Sequence, residues 1–146
     1  MTKSALCSLV RADILAYAFK YTQASAVLES LLMQRLMDQE QVAIMLRCIL
    51  CILLDRITVS STHAVTCVHD FERKVESFTV LWNHSAVNSV VEKLLCIVSN
   101  SNQSFSLDSY GSLMQEFDRV INLKNWFVQM LLRLRDTLQI LSSNLL

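Results

Sequence analysis

An all-helical fold of about seven short antiparallel helices is what this sequence predicts, and three observations carry the prediction. The 146 residues hold no proline and one glycine, Gly111, so the residues that punctuate tight turns and strand boundaries are nearly absent. Leu, Met, Ala, Gln, Glu and Arg, which lose little side-chain freedom in a helix, are plentiful. Apolar side chains also recur at spacings of three and four along most of the chain, the period of a helix with one covered face. A chain of this length matches a single helical domain, 1–146, that buries roughly 68–70% of the surface its unfolded form exposes.

Taken in order, helices are expected over about 4–21 and 23–37. The next is centred on VAIMLRCILCILL, residues 42–54, in which Arg47 is the only residue that is not apolar. Thirteen helical residues rise about 20 Å, and a bilayer core of about 30 Å needs roughly 20 apolar residues, so no membrane span is expected. A short helix that is apolar on nearly every side belongs in the middle of other helices. Asp38 to Gln41 offers a capping box at its start, and Asp55 and Arg56 close its end. Arg47 then requires a carboxylate partner or a path to water along its aliphatic stem.

Residues 62–82 place Val65, Val68, Phe71, Val75, Phe78, Leu81 and Trp82 on one helical face. Asp70, Glu72, Arg73, Lys74 and Glu76 occupy the other, and His69 is assigned to that polar side near Asp70 and Arg73. A helix over about 85–99 follows. Residues 106–121 repeat the pattern with Leu107, Tyr110, Leu113, Met114, Phe117, Val120 and Ile121, with Ser104 and Ser106 as candidate N-caps. The apolar phase slips at 122–125, where continuing the stripe would bury Lys124 and Asn125, so a turn is expected there. The last helix buries Leu123, Trp126, Phe127, Met130, Leu131, Leu134, Leu138 and Leu141.

Such helices fit either a compact helical bundle or an α-solenoid segment of the armadillo/HEAT kind, whose units are about 40 residues long. Apolar side chains continue in helical phase almost to both ends, from Leu6, Leu9 and Val10 to Ile140, Leu141, Leu145 and Leu146. Ends of this kind suit a segment of a larger helical protein, or a domain that docks onto a partner.

Charge excludes some functions. Thirteen basic and thirteen acidic residues cancel, and no stretch gathers Lys and Arg into a phosphate-binding face, so no direct nucleic-acid partner is expected. Arg11 and Asp13 interrupt the first apolar run before it reaches signal-peptide length, and five cysteines lack disulfide-framework spacing. An intracellular setting, cytoplasmic or nuclear, follows. Cys48-x-x-Cys51 with Cys67-x-His69 has the order of four zinc ligands. Its flanking residues are those of a core, so these thiols are expected to act as small hydrophobes without metal. His63, His69 and His84 stand near Ser and Cys residues, but the chain has no strand-turn-helix elbow and no Gly-rich phosphate loop. No enzyme, cofactor or small-molecule substrate is expected.

Asn125-Trp126 at the start of an apolar helix is similar to the opening of the Asn-Trp-Gly-Arg signature of Bcl-2 proteins, which share this size and helix count. Phe127 and Val128 stand where that signature has Gly and Arg, and twenty residues follow Trp126, too few for the later helices of that fold. The likeness is therefore one of size only.

The function expected is a non-enzymatic protein–protein interaction or scaffold module, associating with itself or with a protein partner. A compact regulator that takes a partner helix in a groove is the alternative, and a zinc-stabilised helical domain is another. Met33, Met37, Met45, Met114 and Met130 suit either a core or an adaptable groove. The expected partner surface lies on the last helix. Its inward stripe is already full, yet Val128, Leu132, Ile140, Leu145 and Leu146 are apolar as well. Trp126, Val128, Leu132, Arg135, Ile140 and Leu145 are the candidate partner-binding residues.

Overall fold

The structure, a computed structural model, describes residues 1–143. The described residues form α1 (Lys3–Tyr17), α2 (Tyr21–Leu32), α3 (Asp38–Arg56), α4 (Ser61–Val75), α5 (Val80–Asn83), α6 (Ala86–Asn100), α7 (Leu107–Ile121) and α8 (Asn125–Ser143). A single 3₁₀ turn, Glu76–Phe78, joins α4 to α5. None of these helices is long and apolar enough to cross a membrane.

The core is built around α3, which packs against α2, α4, α5, α6 and α8. Ile44, Met45, Leu46, Cys48, Ile49, Leu50, Cys51 and Leu53 are all essentially without solvent contact, so this helix is covered nearly all round. Its one charge inside that shell is satisfied twice. Arg47 donates from Nε to Asp13 Oδ1 at 3.0 Å, and its guanidinium lies 5.3 Å from the Trp126 ring and 4.7 Å from the Phe127 ring. Carboxylate pairing and aromatic stacking together make it tolerable to bury a group that would otherwise cost several kcal/mol.

Local chemistry sets the helix ends. Thr2, Ser60, Ser85 and Ser106 each accept a hydrogen bond from the amide three residues on, at the starts of α1, α4, α6 and α7. Ser106, not Ser104, is thus the cap of α7. With no glycine at either helix end, Phe19 and Asn122 take the left-handed conformation that ends α1 and α7, at φ 65° and 54°. Asn tolerates this readily; Phe does so at a cost of about 1 kcal/mol. The cost at Phe19 is offset by its ring, which meets Tyr21 edge-on at 6.2 Å and lies 4.1 Å from the Arg133 guanidinium.

Arg133 also decides between the two expected architectures. From α8 it donates to Ala16 O at 2.9 Å, to Tyr17 O at 3.0 Å and to the Tyr21 hydroxyl at 3.0 Å. The last helix therefore supplies donors to carbonyls at the end of the first. In a solenoid each repeat touches only its neighbours; here first and last helices meet and α3 is enclosed, so the fold is a compact bundle.

Three sequence expectations are corrected. The helix expected over 62–82 breaks after Val75. Thr79 is buried and donates to Val75 O at 2.8 Å, Gln41 of α3 donates to Phe78 O at 3.0 Å, and α5 swings Trp82 fully into the core. The capping box at Asp38–Gln41 shifts by one residue: the Met37 N–H donates to Glu40 at 2.9 Å, and Gln41 is taken by the contact to Phe78. The first two helices end at Tyr17 and Leu32, earlier than the apolar pattern implies.

Candidate functional site

A groove of about 860 Å³ opens where the start of α3 meets both ends of the chain's helical circuit. Leu6 and Leu9 of α1, Val42 of α3, Leu81 of α5, Val120 of α7 and Phe127 of α8 form its walls, and Ile44 and Val87 lie buried beneath. Leu6, Leu81 and Val120 are about half exposed at its edges. Asp38 and Glu40 from the start of α3, and Arg119 and Lys124 around the α7–α8 turn, add charge of both signs. Arg47 also reaches the groove, held in place by Asp13 and the two aromatic rings.

The apolar surface continues from Leu6 onto the outside of α1. Leu6, Val10, Ile14 and Tyr17 follow at spacings of four, four and three, which is one face of a helix, and Val10 and Ile14 are 56% and 61% exposed. The inner face of α1 is built from Ala5, Ala12 and Ala16, all buried. Small residues there let α1 pack closely; Leu9 and Leu15 rest partly buried against the core, while Leu6, Val10, Ile14 and Tyr17 point outward.

The residues expected to bind a partner on α8 separate into two sets. Trp126 is corrected: it is buried, packed edge-on against Phe127 at 5.3 Å and under Arg47, so it belongs to the core. Its indole N–H has no acceptor among the described residues, whereas the Trp82 N–H donates to Glu72 Oε2 at 3.0 Å. Val128 and Leu132 are partly covered, Arg135 pairs with Asp136 at 2.9 Å, and Ile140 is 60% exposed. Leu145 lies outside the described residues. The inward stripe runs as read, with Phe127, Met130, Leu131, Leu134 and Leu138 buried, although Leu123 and Leu141 at its ends are only partly so.

The cysteine-containing set does not assemble. Cys48 and Cys51 are buried between helices, and burial pushes the Cys51 thiol up to about 12. Cys67 instead meets His63 one turn earlier on α4, Sγ to Nε2 at 3.5 Å. His69 turns toward α6, where its Nε2 stands 4.0 Å from Glu92 Oε2, and not toward Asp70, which is the partner of Arg73.

The sequence reading missed the groove because its walls come from five helices that are distant in the chain. The one legible sign was the apolar phase of α1, which Leu6 and Val10 already displayed. Comparisons with protein families, curated proteins and solved structures find no match for this chain.

Proposed function

We propose that this protein is a non-enzymatic interaction module that receives an amphipathic helix of a protein partner in the groove between α1, α3, α5 and α7. The observation that supports this most is the run of aliphatic walls with Leu6, Leu81 and Val120 half exposed at the edges. An apolar trough of this kind suits anchors at i, i+3 or i+4, and i+7 of a docking helix. The flanking Asp38, Glu40, Arg119 and Lys124 give such a helix a preferred orientation through its own charges. An intracellular setting, cytoplasmic or nuclear, belongs to the same reading.

The test is selection from a display library of amphipathic helical peptides against the wild type and against Leu6→Glu/Leu81→Glu/Val120→Glu. These side chains already meet water, so the variant is expected to fold. Peptides selected on the wild type should lose affinity on the order of tenfold or more per substituted anchor. Peptides that bind both proteins equally would overturn the groove reading.

A second reading rests on Ile140. With Val128 and Leu132 it forms an outward ridge on α8 that suits self-association, and its test closes the Discussion.

A further inference from the structure

α4 and α6 lie side by side, and between them three metal-ligating side chains converge. The ligand atoms of His69, Glu72 and Glu92 all lie within 4.8 Å of one another, the one such group among the described residues. His69 and Glu72 are three apart on α4, hence on one face. Asn88 and Glu92 are four apart on α6, and both line the same cavity of about 480 Å³ as the α4 pair. Two helices thus present a nitrogen, two carboxylates and an amide to a common space.

Two further observations point to a ligand. Glu72 Oε2 accepts the Trp82 indole N–H at 3.0 Å, while Glu72 Oε1 is buried and has no hydrogen-bond partner. Asn88 Oδ1 is likewise buried and unpartnered, on the same cavity. Buried oxygens without donors are rare because each forfeits about 1–3 kcal/mol. A cation would satisfy both. The Trp82 contact is also what a ligating carboxylate needs, a donor on the far oxygen that fixes its orientation.

We propose that His69, Glu72 and Glu92, with Asn88 as a fourth donor, bind a divalent transition metal, zinc being the best match, that clips α4 to α6. An imidazole with carboxylate and amide oxygens suits zinc or its first-row neighbours better than magnesium or calcium, which take oxygen alone. Ligands 2.0–2.2 Å from a tetrahedral ion stand about 3.4 Å apart, so the group must contract by up to about 1.4 Å. His69 and Glu92 have the freedom to do so, with side chains 47% and 54% exposed, while Glu72 is held by Trp82. Arg73 also borders the cavity, but Asp70 engages its guanidinium. The site is distinct from the cysteine set at 48, 51 and 67.

The experiment is titration of the chelator-treated protein with Zn²⁺ by calorimetry and with Co²⁺ by visible absorption. One ion per chain is expected, with tetrahedral cobalt bands and no thiolate-to-cobalt band in the near ultraviolet, together with a metal-dependent rise in melting temperature. His69→Ala with Glu92→Gln should abolish binding. Glu72→Gln, which keeps an acceptor for Trp82, should weaken it about tenfold or more. His63→Ala with Cys67→Ser should leave it unchanged. No saturable binding of either metal would overturn the proposal. So would binding that survives the first double variant, or binding that is lost with His63 and Cys67.

Discussion

At the residue scale, the most consequential side chain is Arg47, because it is the one charge inside a helix otherwise enclosed by apolar neighbours. Its side chain is 11% exposed and that of its partner Asp13 is 23% exposed, so the pair is largely but not wholly withdrawn from water. Removing one partner of a buried pair leaves an uncompensated charge, which is worse than having no pair at all. Asp13→Ala is therefore expected to destabilise the fold by about 3 kcal/mol or less, the lower end for fully buried pairs, since Asp13 keeps some access to water. Asp13→Leu with Arg47→Met, which replaces charge by volume, should recover most of that loss. Urea denaturation of the wild type and these two variants decides it: if the double variant is no more stable than Asp13→Ala, the packing of the guanidinium on Trp126 and Phe127 matters more than its charge balance. The need for this partner was legible in residues 42–54. Its identity was not, because Asp13 is 34 residues away, on a helix whose fully buried residues are all alanine.

At the scale of the elements, the start of α3 shows how a cap ties pH to structure. The Met37 N–H donates to the Glu40 carboxylate, and the amino-terminal ammonium lies 3.1 Å away; the backbone donor first, and the ammonium after it, hold Glu40 below its ordinary value. A carboxyl with a depressed folded value contributes stability that is fully present above its unfolded value and is lost as pH falls through the folded one. Glu40→Gln keeps an acceptor for Met37 but removes the charge. The stability difference between wild type and this variant is thus expected to be constant near neutrality and to shrink as pH drops below the usual carboxylate range. Denaturation midpoints across that range measure it, and a difference independent of pH would mean that the charge does nothing at this cap. The helix itself was plain in the sequence, and Ser106 was one of the two candidate caps read for α7, whereas the caps at Ser60 and Ser85 emerge only from the structure. The break at Glu76–Phe78 was hidden because Phe71, Val75, Phe78 and Trp82 keep perfect helical phase through it. Only tertiary contacts, Gln41 to Phe78 and Trp82 to Glu72, reveal that the chain turns there.

At the scale of the whole molecule, what the chain could not announce is closure. Arg133 reads as a polar-face residue, yet it donates to the end of a helix more than a hundred positions earlier. The groove and the α4–α6 cluster are products of that same folding together. The surplus of apolar residues on α8 was legible, and the bundle disposes of only part of it. Trp126 is taken into the core, Val128 and Leu132 are half covered, and Ile140 stands 60% exposed on the outside. Each large aliphatic side chain left in water forgoes about 1.5–3 kcal/mol of burial, which a second α8 laid against the first would recover. Leu132→Glu with Ile140→Glu is therefore expected to abolish concentration-dependent self-association in sedimentation velocity, with the far-ultraviolet helical signal nearly intact. Ile140 meets solvent already, so its share of any stability loss should stay within about 0.5 kcal/mol, and the remainder belongs to the half-covered Leu132. Three results would sink the ridge: a wild-type chain that is monomeric at every concentration, a double variant that still associates, or one that unfolds before association changes. The last would place Leu132 and Ile140 in the domain's own core, as the structure does with Trp126.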